Sequence, residues 1–384
     1  MGTAIFSQRP SVWVLTNAPS PYQVELFSAI TALATVDLNV RFLRDSNDSG
    51  PPRDFPHHVC PTWLALSSGD ELRLHGGPIR EAIFGQHDLF VLSGLYTSMT
   101  FLCCAWFLHC RGKRWALWWE RPRARDPRRG QSLLWKTVHA IKDSIRSWLL
   151  RSADLVIGIG TAAVAEYQAM GVSPDRLRML PYSCDVSRFG QVDDTVRENE
   201  RAKFGWSNQL VLLFSGQMIH RKGVDVLLRA FERVAGLHPD VVLRLLGDGE
   251  DRQQLEALVP ADLKSRVRFE GHVPQPELPA HFAAADLFVF PSRHDGWAVV
   301  INEACGAGLP IVATRQTGAV HDLVREGENG FVVEADDVNS LVDRLQWCIA
   351  HRDQLPTMGR RSYELVQGIS AQSSAVRFQQ IVAS

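Results

Sequence analysis

The feature that most restricts the fold of this 384-residue chain is a rhythm in its second half. Short apolar runs rich in β-branched residues recur, each stopped by Gly, Pro or a polar residue. They are QLVLLFSG (209–216), VVLRLLGD (241–248), ADLFVFPS (285–292), PIVAT (310–314) and GFVVE (330–334), with helical spacing at 224–235 and 298–307. Near-continuous apolar runs mark strands buried on both faces, and helices between them make βα units on a parallel sheet. In open sheets of this kind, ligands bind beyond the carboxyl ends of the strands. Ser215-Gly216, Gly247-Asp248-Gly249 and Asp295-Gly296 all fall there.

The first half repeats the grammar less cleanly. Strands are expected at 11–17, 36–43, 87–94, 114–119 and 153–160, helices at 22–32 and 131–150, and a loop at 46–61, where Pro, Asp, His and Gly cluster. The length itself suggests about two domains. A hydrophobic fraction of 45% is enough to build both cores. The polar run QVDDTVRENE opens a linker at 191–207, which leaves domains at 1–190 and 208–370. The expected class is α/β, with two Rossmann-like domains on parallel sheets facing a central cleft.

Two segments carry chemistry. In PSRHDGWAVVINEACGAGLPIVAT (291–314) a strand ends at Pro291, the chain turns through Asp295-Gly296, and a helix is expected from about Trp297 to Ala307. Asp295 and Glu303 are eight apart, so they are not helical neighbours. Asp295 belongs to the loop and Glu303 to the second turn. Gly296 permits close backbone approach, and the amides of Trp297 and Ala298 open a helix N-terminus, which favours anions. A carboxylate such as Glu303 suits two vicinal ribose hydroxyls. In FSGQMIHRKGVDVLLRAF (214–231), Arg221 and Lys222 stand directly before a helix. Cations there oppose the helix dipole and make sense as phosphate ligands. The competing readings are a capped helix with a solvated Glu and a loop of solvated charges.

Together these segments, continuous over roughly 209–335, resemble the nucleotide-sugar half of retaining glycosyltransferases of family 4, which have the GT-B fold. The family motif, an acid, seven residues, Glu and then Ala-x-x-x-Gly-x-Pro, appears as Asp295, Glu303, Ala304, Gly308 and Pro310. By resemblance, Lys222 and Arg221 hold the diphosphate and share the catalytic role with Asp295. Glu303 holds the ribose, and Asp295 and the amides of Gly296, Trp297 and Ala298 hold sugar and phosphate. Gly216 and Gln217 line the donor site, and the loop at Glu270 faces the base. The resemblance implies retention through front-face displacement, with no divalent metal and no cofactor besides the nucleotide-sugar substrate. The chain contains no Asp-x-Asp. A glycan or lipid-linked acceptor would bind in the first domain, with Glu120 and Tyr22 on that side and a C-terminal helix, 371–384, packed back on it.

The chain departs from the family in three places. The first acid is Asp rather than the usual Glu, Gln217 replaces a common Arg, and Ala18-Pro19-Ser20-Pro21-Tyr22 stands where a Gly-rich loop is common. The strand RWALWW delivers Glu120 where a His is frequent, so no catalytic His is expected. For Glu120, an ion pair with Arg121 or Arg123 is the alternative.

Charge narrows the partners. Lys+Arg 41 against Asp+Glu 42 argues against nucleic acid. Yet residues 111–151 hold twelve Lys/Arg against Glu120, Asp126 and Asp143, and six of the eleven Trp lie within 106–148. Leu134, Val138, Ile141, Ile145 and Trp148 form an apolar stripe at helical spacing, with Lys136, Lys142, Asp143 and Arg146 off it. Such a helix either lies on an anionic membrane or faces its own domain's core. The longest apolar run there, 101–108, is too short to span a bilayer. The run 12–15 lacks a basic leader, and Phe6 occupies the position where a myristoylation signal needs Ser or Thr. A cytoplasmic protein, with the inner membrane face as a place of contact, is expected. The seven cysteines include no CxxC pair, and Cys103, Cys104 and Cys110 beside His109 are expected to be buried small hydrophobes. A GT-B nucleotide-sugar epimerase and a non-catalytic nucleotide-sugar-binding protein remain the alternatives.

Overall fold

The computed structural model describes residues 9–45, 55–62, 64–65, 73–94, 97–122, 133–190, 193–203 and 205–384. The chain divides into two compact units, 1–182 with 371–384 and 183–370.

The first unit runs β1 (Ser11–Thr16), α1 (Pro21–Leu33), β2 (Asp37–Phe42), β3 (His57–Val59), β4 (Leu64–Ala65), β5 (Arg73–Leu74), α2 (Gly76–Phe84), β6 (Leu89–Ser93) and α3 (Met99–Cys110). It continues with β7 (Trp115–Trp119), α4 (Leu133–Ser152), β8 (Leu155–Gly158), α5 (Thr161–Ala169) and β9 (Leu177–Met179). Seven strands form a parallel sheet in the order β3-β2-β1-β6-β7-β8-β9, while β4 and β5 make a separate antiparallel pair. Trp13, Phe90, Trp115 and Leu117 fill the core with Phe101, Leu108 and Leu149 from the covering helices. The loop expected at 46–61 contains β3, which pairs in register with β2 at Val40–His57. Three residues of edge strand leave too short a pattern to read.

The second unit runs α6 (Ser187–Gly190), α7 (Asp194–Ala202), β10 (Leu210–Ser215), α8 (Val224–Leu237), β11 (Val241–Leu246), α9 (Arg252–Ala257), β12 (Val267–Gly271) and α10 (Leu278–Ala283). It then adds β13 (Leu287–Phe290), α11 (Val299–Gly306), β14 (Ile311–Thr314), α12 (Val320–Leu323), β15 (Gly330–Val333), α13 (Val338–Ala350) and α14 (Leu355–Val366). Its six parallel strands are ordered β12-β11-β10-β13-β14-β15. β10, β11, β13 and β14 are buried at every position, as their largely apolar sequences require, and the one charge among them, Arg244 of β11, is buried with the rest. The order reverses between β10 and β13, the switch point at which ligands bind in such sheets. The last helix, α15 (Ala371–Ala383), packs on α1 of the first unit.

Much of the stretch expected as a linker is ordered. Asp193 caps α7 by accepting from the Thr195 amide at 2.8 Å. Arg197 and Arg201 both pair with Asp286 at the foot of β13 and donate to carbonyls at the end of α10. Charges that read as solvated along the chain are thus fixed ion pairs that join α7 to the second unit.

The cysteines near residue 104 also differ from expectation. Cys104 is buried, Cys103 is half-buried and Cys110 is exposed, because α3 turns one side outward at its C-terminal end. Trp106 is 56% exposed on the same helix.

Candidate functional site

Beyond β10, Gly216 (φ +156°) and the exposed Gln217 lead into a tight turn, His220–Lys222, and Gly223 starts α8. Gly223 has φ +70°, and a Cβ there would stand 2.1 Å from the carbonyl oxygen of Pro291. Glycine lets this turn press against the loop after β13.

That contact brings the cations to the acid. Lys222 Nζ lies 2.5 Å from Asp295 Oδ2, and Arg221 Nη1 lies 3.2 Å from the same oxygen and 3.0 Å from the His294 carbonyl. Lys222 also sits 5.0 Å from the Phe290 ring centroid, a cation–π contact. Phe214, Phe290, Phe288 and Phe282 form a file of stacked rings beneath it, with centroids 5.7–6.1 Å apart. Asp295 is 9% exposed, and a carboxylate at that depth needs paired charge. The structure therefore unites Asp295, Lys222 and Arg221, which lie on two loops more than seventy residues apart.

The start of α11 corrects the expected helix boundary. The helix begins at Val299, and Ala298 precedes it in the left-handed region (φ +70°, ψ 80°). A residue with a Cβ is strained there, which marks the loop as held by its surroundings. Trp297 is 1% exposed and its indole donates to Asn302 Oδ1 at 3.0 Å, so the side chain anchors the loop in the core. Glu303 is half-buried on the second turn of α11, and Gly296 is buried in the loop.

Sequence reasoning missed the loop behind this one. The Gly318 amide donates to the Asp295 carbonyl at 3.0 Å, Ala319 donates to Trp297 at 2.9 Å, and Asp295 donates to Gln316 at 3.1 Å. A Cβ on Gly318 would meet the Gly296 carbonyl oxygen at 2.0 Å. The Thr-Gly pair shortly after the strand 310–314 was the available signal. Arg293 was missed as well, since nothing along the chain separates it from a solvated loop charge.

Glu270 is engaged as a counter-ion. Its Oε1 accepts from Arg244 Nε at 3.0 Å and Oε2 lies 3.7 Å from Arg268. Arg244 is 2% exposed on β11 and also reaches Glu200 at 3.3 Å. A buried guanidinium needs both acids.

In the first unit, Tyr22 stands in the first turn of α1 with its ring 4.6 Å from that of Tyr182. Burial, then Tyr22 and Glu120, push the Tyr182 phenol well above its ordinary range. Glu120 is exposed just past β7, and its carbonyl accepts from the Tyr167 hydroxyl at 2.5 Å. Burial, followed by Glu120, raises the Tyr167 phenol too. Glu120 and Tyr22 thus share an aromatic neighbourhood, walled by Trp118 edge-on to Tyr182 at 5.7 Å.

On α4 the apolar stripe splits. Ile145 and Trp148 pack on the core, whereas Val138 is 40% and Ile141 54% exposed. Lys136 is exposed, and Arg146 pairs with Asp143 at 2.5 Å. Arg123, Asp126 and the basic run up to residue 132 lie outside the described residues, as does the Leu134 side chain. Among the described residues, no helix is long and apolar enough to cross a membrane, and no cluster of three or more His, Cys, Asp or Glu could hold a metal ion.

Residues 196–365 match the family described as "Glycosyl transferases group 1". The chain is 28% identical over 239 residues to the GDP-mannose-dependent alpha-(1-6)-phosphatidylinositol monomannoside mannosyltransferase of Mycolicibacterium smegmatis, covering 60% of this chain and 62% of that one. It is 32% identical over 176 residues to the lipopolysaccharide core biosynthesis glycosyltransferase LpsE of Rhizobium meliloti, covering 45% and 50%. The chain therefore spans less than two thirds of the length of these curated relatives. Among solved structures, Anabaena Alr3699/HepE in complex with UDP matches with a TM-score of 0.75 at 18% identity, covering 97% of this chain and 99% of that one. The fold is GT-B, and the stretch that matches the group 1 family lies in the second unit.

Proposed function

We propose that this chain moves a sugar from a nucleotide-sugar donor to a glycan or lipid-linked acceptor. Transfer proceeds with retention at the anomeric carbon and without a divalent metal, in the synthesis of cell-surface polysaccharide or glycolipid. One observation carries the reading: Arg221 and Lys222 converge on Asp295 in the loop that leads to α11, at the switch point of the second unit's sheet. Two cations and a helix N-terminus are the charge that a diphosphate requires. The relatives' names, one GDP-mannose-dependent and acting on a phosphatidylinositol mannoside, and a fold shared with a UDP complex support it.

In this mechanism the bond from the anomeric carbon to the phosphate oxygen breaks while the acceptor oxygen bonds on the same face. The departing phosphate oxygen takes the acceptor's proton. Lys222, Arg221 and the amides at the start of α11 stabilise the charge on that oxygen, a contribution for which each donor is worth ~10²–10³ in kcat. Glu303 holds the ribose hydroxyls, and the Asp295 carboxylate orients the cations and a sugar hydroxyl. Gly216 and Gln217 border the donor, while Glu270 reaches it only through its loop. Tyr22 and Glu120 serve the acceptor.

The protein works in the cytoplasm at the inner membrane face. Val138 and Ile141 are exposed within 111–151, a segment of net charge +9, and Trp106 is exposed shortly before it, a composition suited to anionic lipid.

The test is a metal-free thermal-shift panel of UDP-, GDP-, dTDP- and ADP-sugars, followed by product analysis. A ligand at 100 times its dissociation constant adds ~2.7 kcal/mol of stability. A shift with one nucleotide, lost in Glu303→Ala, and transfer of sugar to an acceptor support the proposal. Silence across the panel overturns it, as does an altered free sugar with no transfer.

A further inference from the structure

Arg293 lies between β13 and Asp295, and no reading of the sequence gives it a role. Its guanidinium grips Asp225 in the first turn of α8 with two parallel bonds, Nη1 to Oδ1 at 2.7 Å and Nη2 to Oδ2 at 2.8 Å. Nη1 also donates to the His220 carbonyl at 2.5 Å, and Nε reaches Asp336 Oδ1 at 2.7 Å. The main chain follows the same route. The Arg293 amide donates to the Arg221 carbonyl at 2.8 Å, where the hydroxyl of Ser292 also donates at 3.1 Å. One residue therefore binds the turn that carries Arg221 and Lys222 at the His220 and Arg221 carbonyls, the helix that follows it and the loop before α13.

We infer that Arg293 is a positioning residue that sets the height of the Arg221–Lys222 turn against Asp295, and so the fit of the site to a diphosphate. The inference rests on the donor-site reading above. The geometry needs a planar fork with donors on three sides; a lysine ammonium is a point charge that cannot hold Asp225 bidentately and reach His220 and Asp336 as well. Arg293 does not touch the diphosphate itself. It acts through two cations whose useful range is short, and a displacement of ~1 Å in such a site costs up to ~10²-fold.

The experiment measures calorimetric affinities of the full chain for UDP and UMP and for GDP and GMP. The ratio of monophosphate to diphosphate dissociation constants reports how well the cations meet the second phosphate. General loosening of the unit weakens both members of a pair and leaves the ratio in place. Arg293→Gln is expected to lower the ratio about tenfold with monophosphate affinity nearly unchanged. Arg293→Lys keeps the charge, melts close to wild type and keeps the lowered ratio, so it carries the test where the glutamine variant fails to fold. Arg361→Gln, which removes an exposed cation paired with Glu328 and Glu364, is the control and changes nothing. Wild-type ratios in Arg293→Gln, or full rescue by Arg293→Lys, overturn the inference while the donor site stands. Failure of the wild type to bind either diphosphate overturns the donor-site reading and this inference with it.

Discussion

The ammonium of Lys222 lies 2.5 Å from Oδ2 of Asp295, and Arg221 reaches the same oxygen from 3.2 Å. The charges that a diphosphate needs are already neutralised by a buried acid. A bound diphosphate and Asp295 therefore compete for one pair of cations. Asp295→Asn removes the competitor, so UDP or GDP is expected to bind about tenfold more tightly, ~1.4 kcal/mol. Transfer falls by ~10²-fold in the same variant, because the cations lose their orientation at the reacting oxygen. Calorimetry beside initial rates checks both halves. Weaker diphosphate binding by the variant would mean that Asp295 assists the phosphates instead of opposing them.

Ala298 holds φ +70° immediately before α11. The left-handed region costs a residue with a Cβ ~1–2 kcal/mol. Ala298→Gly removes that strain but gives the unfolded chain more freedom, which takes back ~0.4–1 kcal/mol. The net is a gain of ~0.5–1 kcal/mol and a Tm raised by ~1–4 °C. Ala298→Val adds β-branching to the strain and lowers the Tm. Differential scanning calorimetry should order the three as Gly, Ala, Val, and any other order removes backbone strain as the cause.

How much of this was legible depends on where each contact's partner lies. The strands of the second unit were readable because burial on both faces leaves unbroken apolar runs, such as LVLLFS of β10. Asp295, Glu303, Arg221 and Lys222 were visible because they combine charge with glycine at strand ends. The ion pair between Asp295 and Lys222 was not, since it joins loops seventy-three residues apart. The same holds for Gly318 against Gly296 and for Arg293 on Asp225. The 191–207 stretch misled for the converse reason. Arg197 and Arg201 look solvated until Asp286 is brought to them by the sheet. Ala298 before α11 shows the remaining limit, because a helix start displaced by a left-handed alanine leaves no pattern.

The thiols should separate by exposure and charge. Burial pushes Cys60 up to about 11 and Cys305 and Cys348 up to about 12, and it raises the half-buried Cys103 and the fully buried Cys104. Cys184 is buried too, while Cys110 is exposed at the end of α3. Only a thiolate attacks a disulfide reagent. Native protein at pH ~7.5 should therefore release one equivalent of thionitrobenzoate rapidly, with Cys103 next, and all seven thiols only in denaturant. Cys110→Ser should abolish the fast phase. Rapid reaction of any buried thiol would show that its element opens.

Asp225 supplies a pH signature for the Arg293 clamp. Burial alone would raise its carboxyl, but the hydrogen bonds and charge of Arg293, with help from Arg229, outweigh burial and hold it below the ordinary 3.8. A carboxyl depressed in the folded state contributes stability that is present above its unfolded value and lost as pH falls towards the folded one. Asp225→Asn keeps the shape and removes the charge. Urea midpoints should therefore lie below wild type at pH ~6 and converge with it as the pH falls below the unfolded value of ~3.9. Asp240 and Glu334, held low chiefly by hydrogen bonds from Arg352 and Arg315, titrate in both proteins and leave the difference untouched. A gap that stays constant down to the lowest pH would place the variant's loss in packing, and Arg293 would then hold Asp225 by shape instead of charge.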